Sequence, residues 1–187
     1  MVGRPHTTGG AHVYFDNKLD LLPLRQRVKA TGEAAFTFAK RELLDCLSKP
    51  EKFRITSYGE GGQILAASES ALTQAQAVLT QAYGPLITFA QPSIHTYLDA
   101  ARGSLMVPVM FLRVNARKEH SPALLAELKE RNAEIQEVDA QQHHVVIRAQ
   151  IRLASLLGYE KTALDLTDGS VHILCWLLRY EPASCRT

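Results

Sequence analysis

Apolar and polar residues alternate along "LRQRVKA" at 24–30, and Thr31-Gly32 then breaks the run. That period of two predicts a half-buried strand. In the next stretch, 33–47, Phe36, Ala39, Leu43 and Leu47 recur at helical spacing. One helix is predicted with that stripe inward, stopped at Pro50 because proline cannot continue a helix. "FRITSYGEGGQILAAS" alternates on both sides of Gly59-Glu60-Gly61-Gly62 and predicts a hairpin. A second helix is expected over 70–83, with Leu72, Ala75, Val78, Leu79 and Ala82 as its stripe and Gly84-Pro85 as its end. "LITFA" follows as a fourth strand.

The second half repeats the order. "PVMFLRVNAR" at 108–117 is a long strand. A helix is predicted over 121–132, with Ser121 as N-cap and Pro122 at the first helical position. "EIQEVD" and "HHVVIRAQIR" form a hairpin around 140–142, "LASLLGY" leads into a helix, and "VHILCWLLRY" is the last strand. Two copies of β-α-β-β-α-β predict an α+β protein of two tandem ferredoxin-like units, each an antiparallel sheet with helices on one face. The expected divisions are an arm at 1–22, with "AHVYF" as a weak strand signal, units at 23–98 and 107–182, a linker "DAARGSLM" at 99–106, and a tail at 183–187.

Two features depart from ordinary patterning. Gly158 interrupts a helical run, where glycine costs about 1 kcal/mol against alanine. Its place on the frame predicts a close approach of helix to strand, with the Tyr159 ring inward and its hydroxyl outward. The last strand is apolar on both faces, with Leu174, Trp176 and Leu178 opposite Ile173, Cys175 and Leu177. Val109 and Phe111 do the same on the neighbouring strand. A sheet with helices on one face normally shows polar residues on the other. Val109, Phe111, Leu174, Trp176 and Leu178 are therefore interface candidates, covered either by the other half or by a second chain in a homodimer.

Composition narrows the classes. The 187 residues carry 21 Lys plus Arg against 19 Asp plus Glu, a net charge of +2. That balance lacks the concentrated basic face of a DNA-binding domain. Cys46, Cys175 and Cys185 form no CxxC pair, which suits reduced thiols and a cytoplasmic setting. No apolar run reaches the ~18 residues of a membrane span, so no membrane partner is expected. "YGEGGQI" and "TTGG" lack the lysine and the strand-turn-helix context of a phosphate-binding loop. His143 and His144 are neighbours on a strand and point to opposite faces, so they would not chelate one ion together. No catalytic signature, cofactor, metal or nucleotide site is expected, and the chain is not expected to be an enzyme.

The second half resembles domain V of translational GTPases of the elongation factor G type. The resemblance is carried in order by "VPVMFLRV", "LLAELKERNAEI", "VVIRAQIRLASLLGY" and "LLRYEP". The first half is similar to domain III of the same factors, through "KFRITSYGEGGQILAAS" and "QAYGPLITFAQPSIHTYLD". The GTPase domain, domain II and domain IV have no counterpart in these residues, and "DAARGSLM" stands where domain IV leaves. The family's Gly-x-Gly-Glu-Leu-His stretch is reduced to "SESAL", which keeps Glu69. Two polar outer positions of the family's last strand are Trp176 and Leu178 here.

The resemblance implies a non-catalytic translation-factor-like protein without GTPase activity, associated with the ribosome or RNA. Its contact candidates are Arg113, Arg117, Lys118 and Arg148. The apolar outer face supports a different class, a protein-interaction or oligomerisation module on the same fold. A small-molecule regulatory pair has no ligand motif behind it. The chain is expected to be a short protein in its own right rather than a fragment of a longer factor.

Overall fold

The computed structural model describes residues 18–101 and 103–183. The expectations for 1–17, including "TTGG" and "AHVYF", and for Cys185 lie outside the described residues. Two five-stranded sheets carry the fold. In the first, β1 (Leu24–Ala30), β2 (Phe53–Tyr58), β3 (Gly61–Ala66) and β4 (Ile87–Phe89) run in the order β2-β3-β1-β4, and β5 (Ser93–Ile94) also pairs with β1. In the second, β7 (Ser104–Arg117), β8 (Glu134–Ala140), β9 (His144–Arg152) and β10 (His172–Pro182) run β10-β7-β9-β8, and β6 (Tyr97–Asp99) pairs with β7. Every pairing is antiparallel. Each sheet places its first strand between its third and fourth, the order that βαββαβ topology produces.

The helices are α1 (Glu33–Phe38), α2 (Arg41–Leu47), α3 (Glu69–Tyr83), α4 (Ser121–Glu130), α5 (Leu153–Leu156) and α6 (Tyr159–Leu166). Ser68 caps α3, its Oγ accepting the Ala71 N–H at 3.2 Å. Leu72, Ala75 and Leu79 of that helix are buried, whereas Ala82 is exposed. His120, not Ser121, is the N-cap of α4. The helix closes with Asn132 at φ 58, where the Ala133 N–H reaches back to the Leu128 carbonyl at 2.9 Å. This is the left-handed C-terminal cap that asparagine tolerates.

The helix expected over 33–47 is two helices, broken at Ala39-Lys40. Of its predicted stripe only Leu47 packs against the core. Phe36 is 75% exposed and Leu43 44% exposed, while Ala34, Phe38 and Leu44 are buried. The cause lies on β3. A Cβ on Gly62 would sit 2.2 Å from the Phe38 ring, so the missing side chain is the slot that the ring fills. Ser57 Oγ donates to the Phe38 carbonyl and pins the end of α1 over that slot.

The stretch expected as a linker, 99–106, begins and ends in paired strands. Asp99 ends β6 and Ser104 begins β7, and the two strands pair through Tyr97↔Met106, Leu98↔Leu105 and Asp99↔Ser104. The joint is a hairpin on the second sheet. On β7, Met110, Leu112, Val114 and Ala116 are buried beneath the helices, and Val145, Ile147, Ala149 and Ile151 do the same on β9. No helix among the described residues is long and apolar enough to cross a membrane.

Candidate nucleic-acid interface

The face of the second sheet turned away from its helices holds the candidate residues. Strand side chains alternate between faces, so register partners across three strands share one surface. Three such rows run β10-β7-β9: His172-Asn115-Val146, Leu174-Arg113-Arg148 and Trp176-Phe111-Gln150. Arg113 and Asn115 are exposed, as are His172, Leu174 and Trp176. Phe111 and Trp176 stack with ring centroids 4.6 Å apart and planes at 27°.

The four basic candidates differ in their surroundings. Arg113 pairs with no carboxylate among the described residues. Arg148 is ion-paired to Glu137 on β8. Arg117 lies at the sheet's end, 3.8 Å from Glu119. The exposed Lys118 follows it, its backbone N–H held by the His143 carbonyl at 3.0 Å. His144 is the register partner of Arg117. The histidine pair thus belongs to a polar, basic tip with Arg117 and Lys118. The sequence places the pair on a hairpin strand, and nothing in it reveals that register.

Two of the interface candidates sit differently from the other three. Val109 is 3% exposed. Its register partners are Arg152 and Arg179, and the three line one open depression. Arg179 donates to Gln150 at 2.6 Å and to Glu181 at 3.1 Å, while Arg152 Nε donates to Glu181 at 3.2 Å. Leu178 is the additional residue of a β-bulge between Leu177 and Arg179, so the strand's alternation resets there. Phe111, Leu174 and Trp176 remain together. The described residues of the first half leave them open, with Trp176 46% and Leu174 45% exposed.

The Gly-Tyr pair has a different role from the one expected. Gly158 is the N-cap of α6 at φ 77, and an added Cβ would meet nothing within 4 Å. Its glycine is required by the left-handed backbone, not by close packing. The Gly158 N–H donates to the Glu69 carboxylate at 2.7 Å, joining the start of α6 to the start of α3 in the other half. A carboxylate there also meets the positive end of the α6 dipole. The partners lie 89 positions apart, and the retained Glu69 of "SESAL" gives no local sign of this contact. Tyr159 is fully buried, hydroxyl included, and that hydroxyl has no hydrogen-bond partner among the described residues. Burial foremost, then the Glu127 charge, holds its ionisation well above the ordinary tyrosine range. Replacing Gly158 by alanine is expected to cost about 1–2 kcal/mol of stability from backbone strain alone. Urea denaturation checks this, and an unchanged midpoint would show that the left-handed turn relaxes freely.

A second junction ties the ends together. The Tyr180 hydroxyl donates to the Asp20 carbonyl at 3.0 Å, and the rings of His95 and Tyr97 meet the Tyr180 ring at 6.0 and 5.2 Å. His95 Nε2 lies 3.3 Å from Asp20. Burial first, then Arg25, lowers the His95 pKa. Among the described residues no group of three or more His, Cys, Asp or Glu could hold a metal ion.

This is the architecture of paired ferredoxin-like units, and its second sheet falls in a known class. Residues 104–185 match the family described as elongation factor G C-terminus. The chain is 33% identical over 85 residues to the mitochondrial ribosome-releasing factor 2 of Danio rerio, a match covering 46% of this chain and 11% of that protein. The protein of the same name from Culex quinquefasciatus is 32% identical over 118 residues, 60% of this chain and 15% of its own length. The matches thus span between about a tenth and a seventh of those relatives. A solved structure from Thermus thermophilus aligns with 86% of this chain and 41% of its own, at TM-score 0.59 and 13% identity, which shows the shared fold. The resemblance to elongation factor G type factors therefore holds, and it is carried by the match of residues 104–185 to an elongation factor G C-terminus.

Proposed function

We propose that this chain is a translation-factor-like module that docks on the ribosome and does so without GTPase chemistry of its own. The observation behind this reading is the elongation factor G C-terminal match over 104–185. Names of matched relatives, ribosome-releasing factor 2, point the same way. The docking surface is the basic end of the second sheet, where Arg117, Lys118 and His144 surround the tip and Arg113 stands on the face. Arg148 contributes less, because Glu137 already holds its charge. Ribosomal RNA is bound mainly through its phosphates, so such contacts weaken steeply with salt.

Co-sedimentation tests the reading. The chain is expected in the ribosome pellet at low salt and largely released by a few hundred millimolar salt. Arg117→Glu with Lys118→Glu should lower the pelleted fraction at least threefold. Absence from the pellet at low salt would sink the proposal. The cytoplasm is the compartment we assign, and the relatives' mitochondrial names make ribosomes from both compartments the proper substrates. The second reading, an oligomerisation module, has one observation in its favour, the uncovered Leu174 and Trp176. Light scattering of the wild type and of Trp176→Asp separates the two, because a dimer would lose half its mass in the variant.

A further inference from the structure

Large aromatic side chains left in water forgo the stabilisation of burial, yet the Phe111–Trp176 stack is covered by nothing among the described residues. Each ring in a stack spends one face on its neighbour and keeps the other. Both rings stand on the helix-free side of the sheet, with Trp176 46% exposed and Phe111 half-buried. The apolar cluster at this spot is small, consisting of Phe111, Leu174 and Trp176. Its borders are polar: Arg113 follows Phe111 on the same face of β7, and Gln150 is its partner on β9. A stable protein interface buries about 800 Å² on each side around an apolar core, and three side chains framed by a guanidinium and an amide do not provide one. A base offers what the site lacks, a flat π surface to extend the stack. Its phosphate suits Arg113, which has no carboxylate partner among the described residues.

We infer that the Phe111–Trp176 stack is a base-stacking platform for single-stranded RNA, with Arg113 as the contact to the adjoining phosphate. Aromatic side chains on an open sheet bind unpaired bases in this way, with little sequence preference. Arg113 lies two residues from Phe111, about 7 Å along the strand, within reach of the next phosphate. Gln150 supplies an amide to base edges, although Arg179 already donates to its Oε1 and leaves its NH₂ as the free group. Glu181 on β10 is neutralised by Arg152 and Arg179, and the other acidic residues of this face, Glu134, Glu137 and Asp139, sit on β8 at the far edge. They keep a phosphate chain on the β7–β10 side. The inference rests on the ribosome-associated reading for its source of RNA and deepens it. The partner surface becomes an unpaired loop rather than a duplex backbone.

Trp176 is the only tryptophan in the sequence, so its emission reports this site directly. The full chain is titrated with a mixed-sequence RNA octamer, with a blunt RNA duplex and with polyphosphate of matching charge. Saturable quenching by the octamer alone is expected. Phe111→Ala and, separately, the exposed Arg113→Ala should each weaken it by roughly tenfold, with thermal melts confirming that both variants fold. No quenching by the octamer, or equal quenching by duplex and polyphosphate, overturns the platform. So does Trp176 emission that depends on protein concentration together with a doubled mass, which would make a second copy the occupant. Ribosome pelleting is measured on the same samples. A chain that pellets with ribosomes but ignores the octamer loses the platform and keeps the docking reading. One that binds the octamer but stays out of the pellet loses the docking reading and keeps the platform for RNA from elsewhere.

Discussion

Replacing Gly62 by alanine is expected to destabilise the protein by about 3 kcal/mol, the upper part of the range for overpacking a core. The new methyl would lie 2.2 Å from one Phe38 ring carbon, 2.3 Å from another and 3.1 Å from the Thr56 carbonyl. No real packing holds carbons that close, so something must move. The ring has no easy exit, because Phe38 is 1% exposed and its own carbonyl is held by Ser57. The Thr56 carbonyl belongs to the β2–β3 ladder and is equally constrained. Chemical denaturation of the single variant measures the cost. The double variant Gly62→Ala with Phe38→Leu, which trims the ring, should be less destabilised than the sum of its parts by about 1 kcal/mol or more, as contacting residues couple. Additive effects would show that methyl and ring do not meet. The same variant tests why α1 and α2 are separate helices, since the break lets Phe38 reach this slot.

The second large effect belongs to the alkaline limb of stability. Cys175 lies under the helices of the second sheet. Burial foremost, then the Glu160 and Glu69 carboxylates, pushes its thiol from 9.0 up to about 12. In the unfolded chain the thiol ionises near its ordinary value. Between pH 9 and about 12 the folded state therefore holds a proton that the unfolded state has lost. A folded pKa that is raised gives stability which is complete below the unfolded pKa and disappears as pH rises towards the folded one. By about pH 11 the loss from this group is roughly 2–3 kcal/mol. Tyr159 and Tyr180, both raised above their ordinary 10.0 chiefly by burial, act on the same limb. Cys175→Ala should be about 1 kcal/mol less stable than the wild type at neutral pH, through lost packing. It should then lose less between about pH 9 and 11, so the two curves meet and cross before about pH 11. Parallel curves would show that the thiol titrates as in the unfolded chain.

The order of the main strands and helices was legible because most strands show a period of two and most turns carry Gly or Pro, the β8–β9 turn at Gln141-Gln142 being an exception. The stripe of the first helix was not legible. Phe36 and Phe38 are two residues apart, and the sequence alone cannot say which one meets a glycine on a strand 24 residues away. Trp176 was found through its apolar neighbours on both faces of β10. Val109 obeyed the same pattern, yet it is buried between its register partners Arg152 and Arg179, which periodicity does not reveal. Leu178 is displaced from the pattern by a bulge that resets the alternation. The basic residues were visible one by one, but their pairing was not. Arg148 and Arg113 look alike in sequence, and only the register with β8 puts Glu137 against one of them. The Glu69–Gly158 contact is the extreme case, a backbone donor and a distant carboxylate with no local trace.

The β6–β7 hairpin carries one more consequence. Its turn lies where the resembled factors send out a whole further domain, and here the chain simply crosses from Asp99 to Ser104 within the ladder. Both ends of the turn are fixed side by side by strand pairing before any loop is added. Lengthening a loop whose ends are already held together costs only about 0.6 kcal/mol per doubling. The hairpin thus works as a docking port built into the scaffold. A module with adjacent termini can be gained or lost there over evolutionary time, or spliced in by design, while both sheets keep their registers.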